Sequence, residues 1–236
     1  VTEFAFAPPP VPFVPVAGGR RFAVRRIFCV GRNYADHARE MGHDPEREPP
    51  FFFCKPADAV LHDGATLPYP QGTQELHHEG ELVVAIGGAG RNIDTGSALG
   101  HVFGYAAGND LTRRDLQARA KALGRPWDMA KGFDGSALIG EISPAERIGH
   151  PARGRITLSV NGAPRQEADL ADQIWSVPEI IAHLSALVAL APGDLVMTGT
   201  PAGVGALVPG DLCRTQIEGL APAELRIGEG GPPQAG

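Results

Sequence analysis

Residues Leu76 to Gly87 read LHHEGELVVAIG, a β-branched apolar run entered through two histidines and two glutamates. The run predicts a core strand, because valine and isoleucine fit a pleated, packed surface. Alternate side chains on a strand share a face, so His77, Glu79 and Glu81 point one way and His78, Gly80, Leu82, Val84 and Ile86 the other. Two carboxylates side by side on one face repel each other unless a cation lies between them or one is protonated. Either that face is a wet strand edge, or it holds something. Gly80, between the glutamates, is expected to loosen the strand.

Other segments repeat the theme of short strands closed by glycine or proline. RIFCVG gives a strand over Ile27 to Val30 and a turn at Gly31. Asn33 is placed to cap a helix from Tyr34 to Met41 that Gly42 closes. PPFFFCKP is an aromatic strand between prolines, and HVFGYAAGND is a strand running into a helix, with Thr112 and Asp115 as a capping box and Gly124 as its stop. RITLSVNGAPRQEA places Asn161-Gly162 between two strands, a hairpin signal. SVPEIIAHLSALVAL is a core-facing helix, capped by Ser176 and Glu179, with Ile180, Ile181, Leu184, Leu187 and Val188 on its apolar stripe. With neither a βαβ alternation nor an all-helical pattern, the expected class is β-rich α+β with a few short helices.

The 236 residues suit one domain: a proline-rich arm over 1–24 anchored by Phe4, Phe6 and Phe13, a body over 25–228, and a loose tail over 229–236. A formal charge of -6 without a basic block argues against nucleic acid. Cys29, Cys54 and Cys213 are too few and too scattered for a disulfide framework or a zinc ribbon. No run reaches the roughly 20 apolar residues of a membrane span, and the first residues do not resemble a secretion signal. These features point to the cytoplasm.

Three further residues stand where chemistry would need them. Asp110 ends a strand and offers a third carboxylate, although an aspartate before a helix is ordinarily a cap. Gln117 lies two turns into the following helix, and Lys131 sits in a glycine-containing loop, where it meets an anionic substrate or is simply solvated. His37 and Glu40, three apart on a short helix, are neighbours on one surface. They form an ordinary exposed pair or, if the helix covers a metal, a general base with its orienting carboxylate on a lid flanked by Gly31 and Gly42.

Taken in order, FCVGRNYADHAREMG, HHEGELVVAIG, GYAAGNDLTRRDLQ, PWDMAKGFDGSALIG and LVMTGTPAGVGALVPGD resemble the fumarylacetoacetate hydrolase family over Arg25 to Glu218. The resemblance is nearest to its bacterial members that cleave fumarylpyruvate in gentisate breakdown. It implies a mixed β-sandwich roll, a homodimer, and Mg²⁺ or Mn²⁺ on Glu79, Glu81 and Asp110. It places Lys131, Gln117 and Thr200 beside a small oxo-acid substrate and makes His37 with Glu40 the water-activating dyad, while His77 and His78 support the ligands. The activity implied is hydrolysis of the carbon-carbon bond of a 3-acylpyruvate, fumarylpyruvate giving fumarate and pyruvate. General acylpyruvase activity, oxaloacetate decarboxylation and oxo-diacid isomerisation share the same metal-bound enolate. A β-rich binding module with a structural ion is the rival from another class, and it would not need Lys131 or the His37-Glu40 pair. The far carboxylate of fumarylpyruvate calls for a cation beyond Lys131, with Arg32, Arg113 and Arg114 as candidates.

Overall fold

The computed structural model describes residues 4–40 and 48–230. Gly80–Ile86 runs through the middle of an eight-stranded sheet. Its path is Phe51–Lys55, Arg26–Gly31, Asp194–Met197, Gly80–Ile86, Val102–Asp110, Ala137–Ile139 and Val60–His62, and Ser143–Pro144 also pairs with Val102–Asp110. A five-stranded sheet runs Ala163–Asp169, Arg155–Val160, Leu212–Ile217, Ala223–Gly228, Ala65–Pro68. Leu82, Val84 and Ile86 share a core with Leu158, Ile217 and Leu225 of that sheet. The result is a strand-rich, mixed α+β sandwich, as the sequence predicts. No helix among the described residues is long and apolar enough to cross a membrane.

The other face of the large sheet is dry as well. Val83 and Ala85 pack with Val14, Val16 and Phe22 of a hairpin formed by Phe13–Val16 and Arg20–Ala23. Residues 13–23, within the segment the sequence reads as an arm anchored on the body, cover a core as a hairpin, while Phe4 and Phe6, two of the expected anchors, are exposed. Each buried Val, Leu or Ile contributes about 1.5–3 kcal/mol relative to exposure. That apolar burial offsets the cost of the charges the same strand carries.

Gly80 has a different role from the one expected. A Cβ there would lie 3.1 Å from Leu158 Cδ1 and 3.3 Å from Thr215 Cγ2, so the glycine lets the second sheet approach closely. The Asn161-Gly162 turn forms as predicted, with φ of 53° and 78° in the left-handed region that a type I′ hairpin requires.

Local signals were overridden at three places. Asn33 is not a cap: its buried amide donates to the carbonyls of Trp175 (2.9 Å) and Thr198 (2.8 Å) and accepts from Trp175 N–H (2.7 Å), tying three segments together. The helix that follows is Ala35–Glu40, and Met41 and Gly42 lie outside the described residues, as do tail residues 231–236. Thr112 and Asp115 make no capping box, because Thr112 pairs with His77 in a small sheet and Asp115 accepts from Thr73 (2.5 Å) and Gln74 N–H (2.9 Å). Leu187, at the end of the helix Val177–Leu187, is exposed rather than part of its buried stripe. That helix does start as expected, with the Glu179 carboxylate accepting from Ser176 N–H at 3.0 Å and from its hydroxyl at 2.7 Å.

Candidate metal and catalytic site

The chain direction brings three carboxylates to one point. Glu79 lies at the step between Leu76–His78, which pairs with Thr112–Arg113 and Gly205–Leu207, and the long strand Gly80–Ile86. Asp110 ends the antiparallel neighbour, whose register sets Gly80 opposite Asn109. Asp110 N–H donates to the Glu79 carbonyl (2.8 Å), and Glu79 N–H to the Asn109 side-chain oxygen (2.8 Å). One ligand atom from each of Glu79, Glu81 and Asp110 lies within 4.8 Å of the others, and all three residues are buried.

Three buried carboxylates need compensation. Lys131 Nζ donates to Glu79 (2.6 Å) and Asp110 (2.9 Å), Arg114 forms an ion pair with Glu79, and Lys55 Nζ lies 2.7 Å from Asp110 Oδ1. Among the described residues Glu81 has no cationic partner of its own, and it accepts Gly199 N–H at 2.7 Å. Burial raises the Glu81 carboxyl well above its ordinary range, and the Asp110 and Glu79 charges add to the shift. At Glu79 burial acts upward too, but Lys131 and Arg114 outweigh it and hold that carboxyl low. Hard oxygens, a proton-holding third carboxyl and an Asp110 Oδ1 without a well-directed hydrogen bond make a donor set that fits a divalent cation such as Mg²⁺ or Mn²⁺. The wet-edge reading of Glu-x-Glu is excluded.

Above the carboxylates opens a narrow cleft lined by His37, Arg32, Phe51, Gln117, Lys121, Trp127 and Thr200, among others. Gly31 admits the Phe51 ring, whose Cζ would lie 2.0 Å from any Cβ placed there. His37 Nδ1 is 3.2 Å from Glu40 Oε2, and that carboxylate also accepts Gly203 N–H at 3.1 Å, which joins the short helix to the glycine-rich turn. Burial lowers the His37 pKa against the pull of Glu79 and Glu40, leaving imidazole as a base at neutral pH. Thr200 Oγ1 donates to the Gly80 carbonyl (2.9 Å) and accepts from Gln166 (2.8 Å), whose side-chain oxygen is 3.2 Å from His78 Nδ1. His78 thus braces the strand and is not among the three clustered ligand groups. His77 lies 3.4 Å from Arg114 Nε.

His37, Glu79, Glu81, Arg32, Arg114, Gln117, Lys131 and Thr200 all line the cleft, and Asp110 and Glu40 adjoin it through Lys131 and His37. Lys131 is buried in the helical turn Asp128–Lys131, not solvated in a loop. Arg114 is committed to Glu79 and to Gln117 Oε1 (2.6 Å). Arg113 turns away, donating to the Met129 carbonyl (3.3 Å) over the Phe133 ring. Sequence reasoning missed Lys55, whose place in an otherwise apolar strand was the available signal, and Lys121. Lys121 follows Gln117 by four and Arg114 by seven positions, hence on the same helix face.

A strand-rich sandwich with convergent carboxylates at the base of a cleft, and a histidine-glutamate pair at its side, defines the class of site. The fumarylacetoacetate hydrolase C-terminal family model matches residues 26–228, and the chain belongs to that family. It resembles the crystal structure of fumarylpyruvate hydrolase from Pseudomonas aeruginosa in complex with Mn²⁺ and pyruvate, with a TM-score of 0.94 and 50% identity over 96% of this chain and 100% of that one. A putative fumarylpyruvate hydrolase from Burkholderia cenocepacia gives 0.91 and 55% over 98% and 100%. The mitochondrial oxaloacetate tautomerase FAHD1 of Bos taurus is 39% identical over 203 residues, 86% of this chain and 91% of the bovine one.

Proposed function

We propose that the protein hydrolyses the carbon-carbon bond of a 3-acylpyruvate, with fumarylpyruvate giving fumarate and pyruvate. The observation that carries this reading is His37 on the wall of the carboxylate cleft, hydrogen-bonded to Glu40 behind it, with an imidazole kept basic by burial. Glu79, Glu81 and Asp110 would hold Mg²⁺ or Mn²⁺, which would supply Lewis-acid stabilisation for the 2-oxo acid end of the substrate. With Nδ1–H directed to Glu40, His37 Nε2 accepts a proton from water. The hydroxide adds to the distal acyl carbonyl, the bond between that carbon and the pyruvate methylene breaks, and the methylene takes up a proton. Lys131 keeps its charge because Asp110 and Glu79 outweigh its burial, and it steadies the negative charge that reaches this end of the cleft. Gln117, held by Arg114, offers its amide N–H groups to the substrate.

A second reading, keto-enol conversion of oxaloacetate, is favoured by the relatives 39% identical to this chain. Turnover of fumarylpyruvate, acetylpyruvate and oxaloacetate by the metal-loaded protein separates the two. Hydrolysis predicts fumarate and pyruvate in equal amounts. Enolisation of oxaloacetate without cleavage of either acylpyruvate would establish the second reading instead.

A further inference from the structure

Among the described residues, two cations on the cleft wall have no carboxylate partner. Arg32 and Lys121 line the cleft with Arg114 and Lys131, yet among the described residues only the latter two are in ion pairs. Aromatic rings hold the first two. The Arg32 guanidinium carbon lies 5.2 Å from the centre of Phe51, Lys121 Nζ lies 5.1 Å from the centre of Trp127, and those two rings meet edge to face at 5.4 Å. A ring face attracts the charge but leaves the N–H donors available. Arg32 Nε is buried without a hydrogen-bond partner, on a residue whose φ of 59° is uncommon outside glycine. Burial, then the charges of Arg114 and Arg32, lower the pKa of Lys121, so the cations oppose one another across the cleft. An anion entering there relieves that opposition.

The carboxylates and Lys131 at the base serve the 2-oxo acid end of a substrate, so the anion met by Arg32 and Lys121 belongs to its other end. We propose that Arg32 and Lys121 grip the far carboxylate of a dicarboxylic acylpyruvate beside the Phe51-Trp127 wall, and so select 3-acylpyruvates that end in a carboxylate. This rests on the acylpyruvate reading above. Arg113, one of the sequence candidates for the task, faces away, and Arg114 is already engaged.

The test compares kcat/KM for fumarylpyruvate and acetylpyruvate in the Mg²⁺-loaded enzyme. The diacid should be strongly preferred, and Lys121→Met and Arg32→Met should each lower the preference roughly tenfold or more, chiefly through KM for the diacid. Lys121→Arg should retain most of it. A preference unchanged in Lys121→Met and in Lys121→Gln, on a half-buried helix face where neither substitution threatens the fold, overturns the proposal. If the unaltered enzyme cleaves neither compound, the acylpyruvate reading fails, and the clamp is judged by binding alone. Fumarate should then perturb tryptophan fluorescence far more than its mono-acid counterpart crotonate, and Lys121→Met should abolish the difference. Equal fumarate affinity in Lys121→Met and the unaltered protein overturns the clamp independently of any turnover.

Discussion

The base of the cleft and its wall are built on opposite plans. At the base, Glu79 and Asp110 are paired with Lys131, Arg114 and Lys55, all inside the sandwich, and even the Glu81 carboxylate is met by a backbone N–H. On the wall, His37 is hydrogen-bonded to a partly exposed Glu40, and Arg32 and Lys121 lie on rings. Paired charge in a packed core is fixed in place, and breaking one pair strands its partner. A weakly held group on a short helix is free to adjust to what enters. The base therefore suits an unchanging task, binding a cation and an oxo acid, and the wall suits proton transfer and the choice of substrate.

The comparison is broken most severely at the base. Glu81→Gln is expected to abolish binding of Mg²⁺ and Mn²⁺ by calorimetry and to reduce turnover to background, while a thermal melt stays near that of the metal-free parent, because the amide matches the shape of the proton-holding carboxyl and breaks no ion pair. Glu79→Ala should lose metal as well, but it leaves Arg114 and Lys131 buried without that partner and should cost about 3–5 kcal/mol of stability. Equal melts for the two variants would mean that the base is not held by its pairs.

On the wall the loss should be kinetic alone. His37→Ala is expected to lower turnover by roughly 10²-fold or more with metal affinity unchanged, and Glu40→Gln should give part of that loss. If His37→Ala also removes the metal, His37 is a ligand and the division between base and wall disappears. A smaller effect follows from pH. Burial lowers the His37 pKa below 6.5, so the base form, present above that pKa, persists as pH falls through 6.5. The acid limb of kcat/KM should accordingly have its midpoint below 6.5, and a midpoint above it would show that solvent reaches the imidazole.

Much of this division was legible in the sequence because it is local. Glu79, Glu81 and Asp110 sit in strands whose alternation and ends can be read directly, and His37 with Glu40 declares itself by helical spacing. What was not legible depends on distant segments. Asn33 has the form of a cap, but Trp175 and Thr198 offer its amide better partners. The ELVVAI strand has no wet face because residues 13–23, read only as an anchored arm, form a hairpin that covers it. Lys55 and Lys121 acquire roles only when folding places one beside Asp110 and the other over Trp127. The three candidate arginines divide for the same reason: Arg32 and Arg114 line the cleft, whereas Arg113 lies over Phe133 and donates to the Met129 carbonyl.

The smallest effect tests how closely the base is fitted. Gly80 separates two ligands, and a Cβ there would come within 3.1–3.3 Å of Leu158 and Thr215 on the facing sheet. Its N–H and carbonyl are both engaged, by Gln166 at 2.9 Å and by Thr200 at 2.9 Å, so the strand cannot shift freely to make room. Gly80→Ala should then push the second sheet outward by a few tenths of an ångström and cost about 1 kcal/mol, the lower end of the overpacking range. Because Glu79 and Glu81 flank the displaced position, metal affinity should fall with stability, whereas a change of the same size in the distant Asn161-Gly162 turn, such as Gly162→Ala at φ 78°, should lower the melt alone. Unchanged metal affinity in Gly80→Ala at a lowered melting temperature would show that the strand flexes between its two glutamates, and the base would then be less rigid than its ion pairs imply.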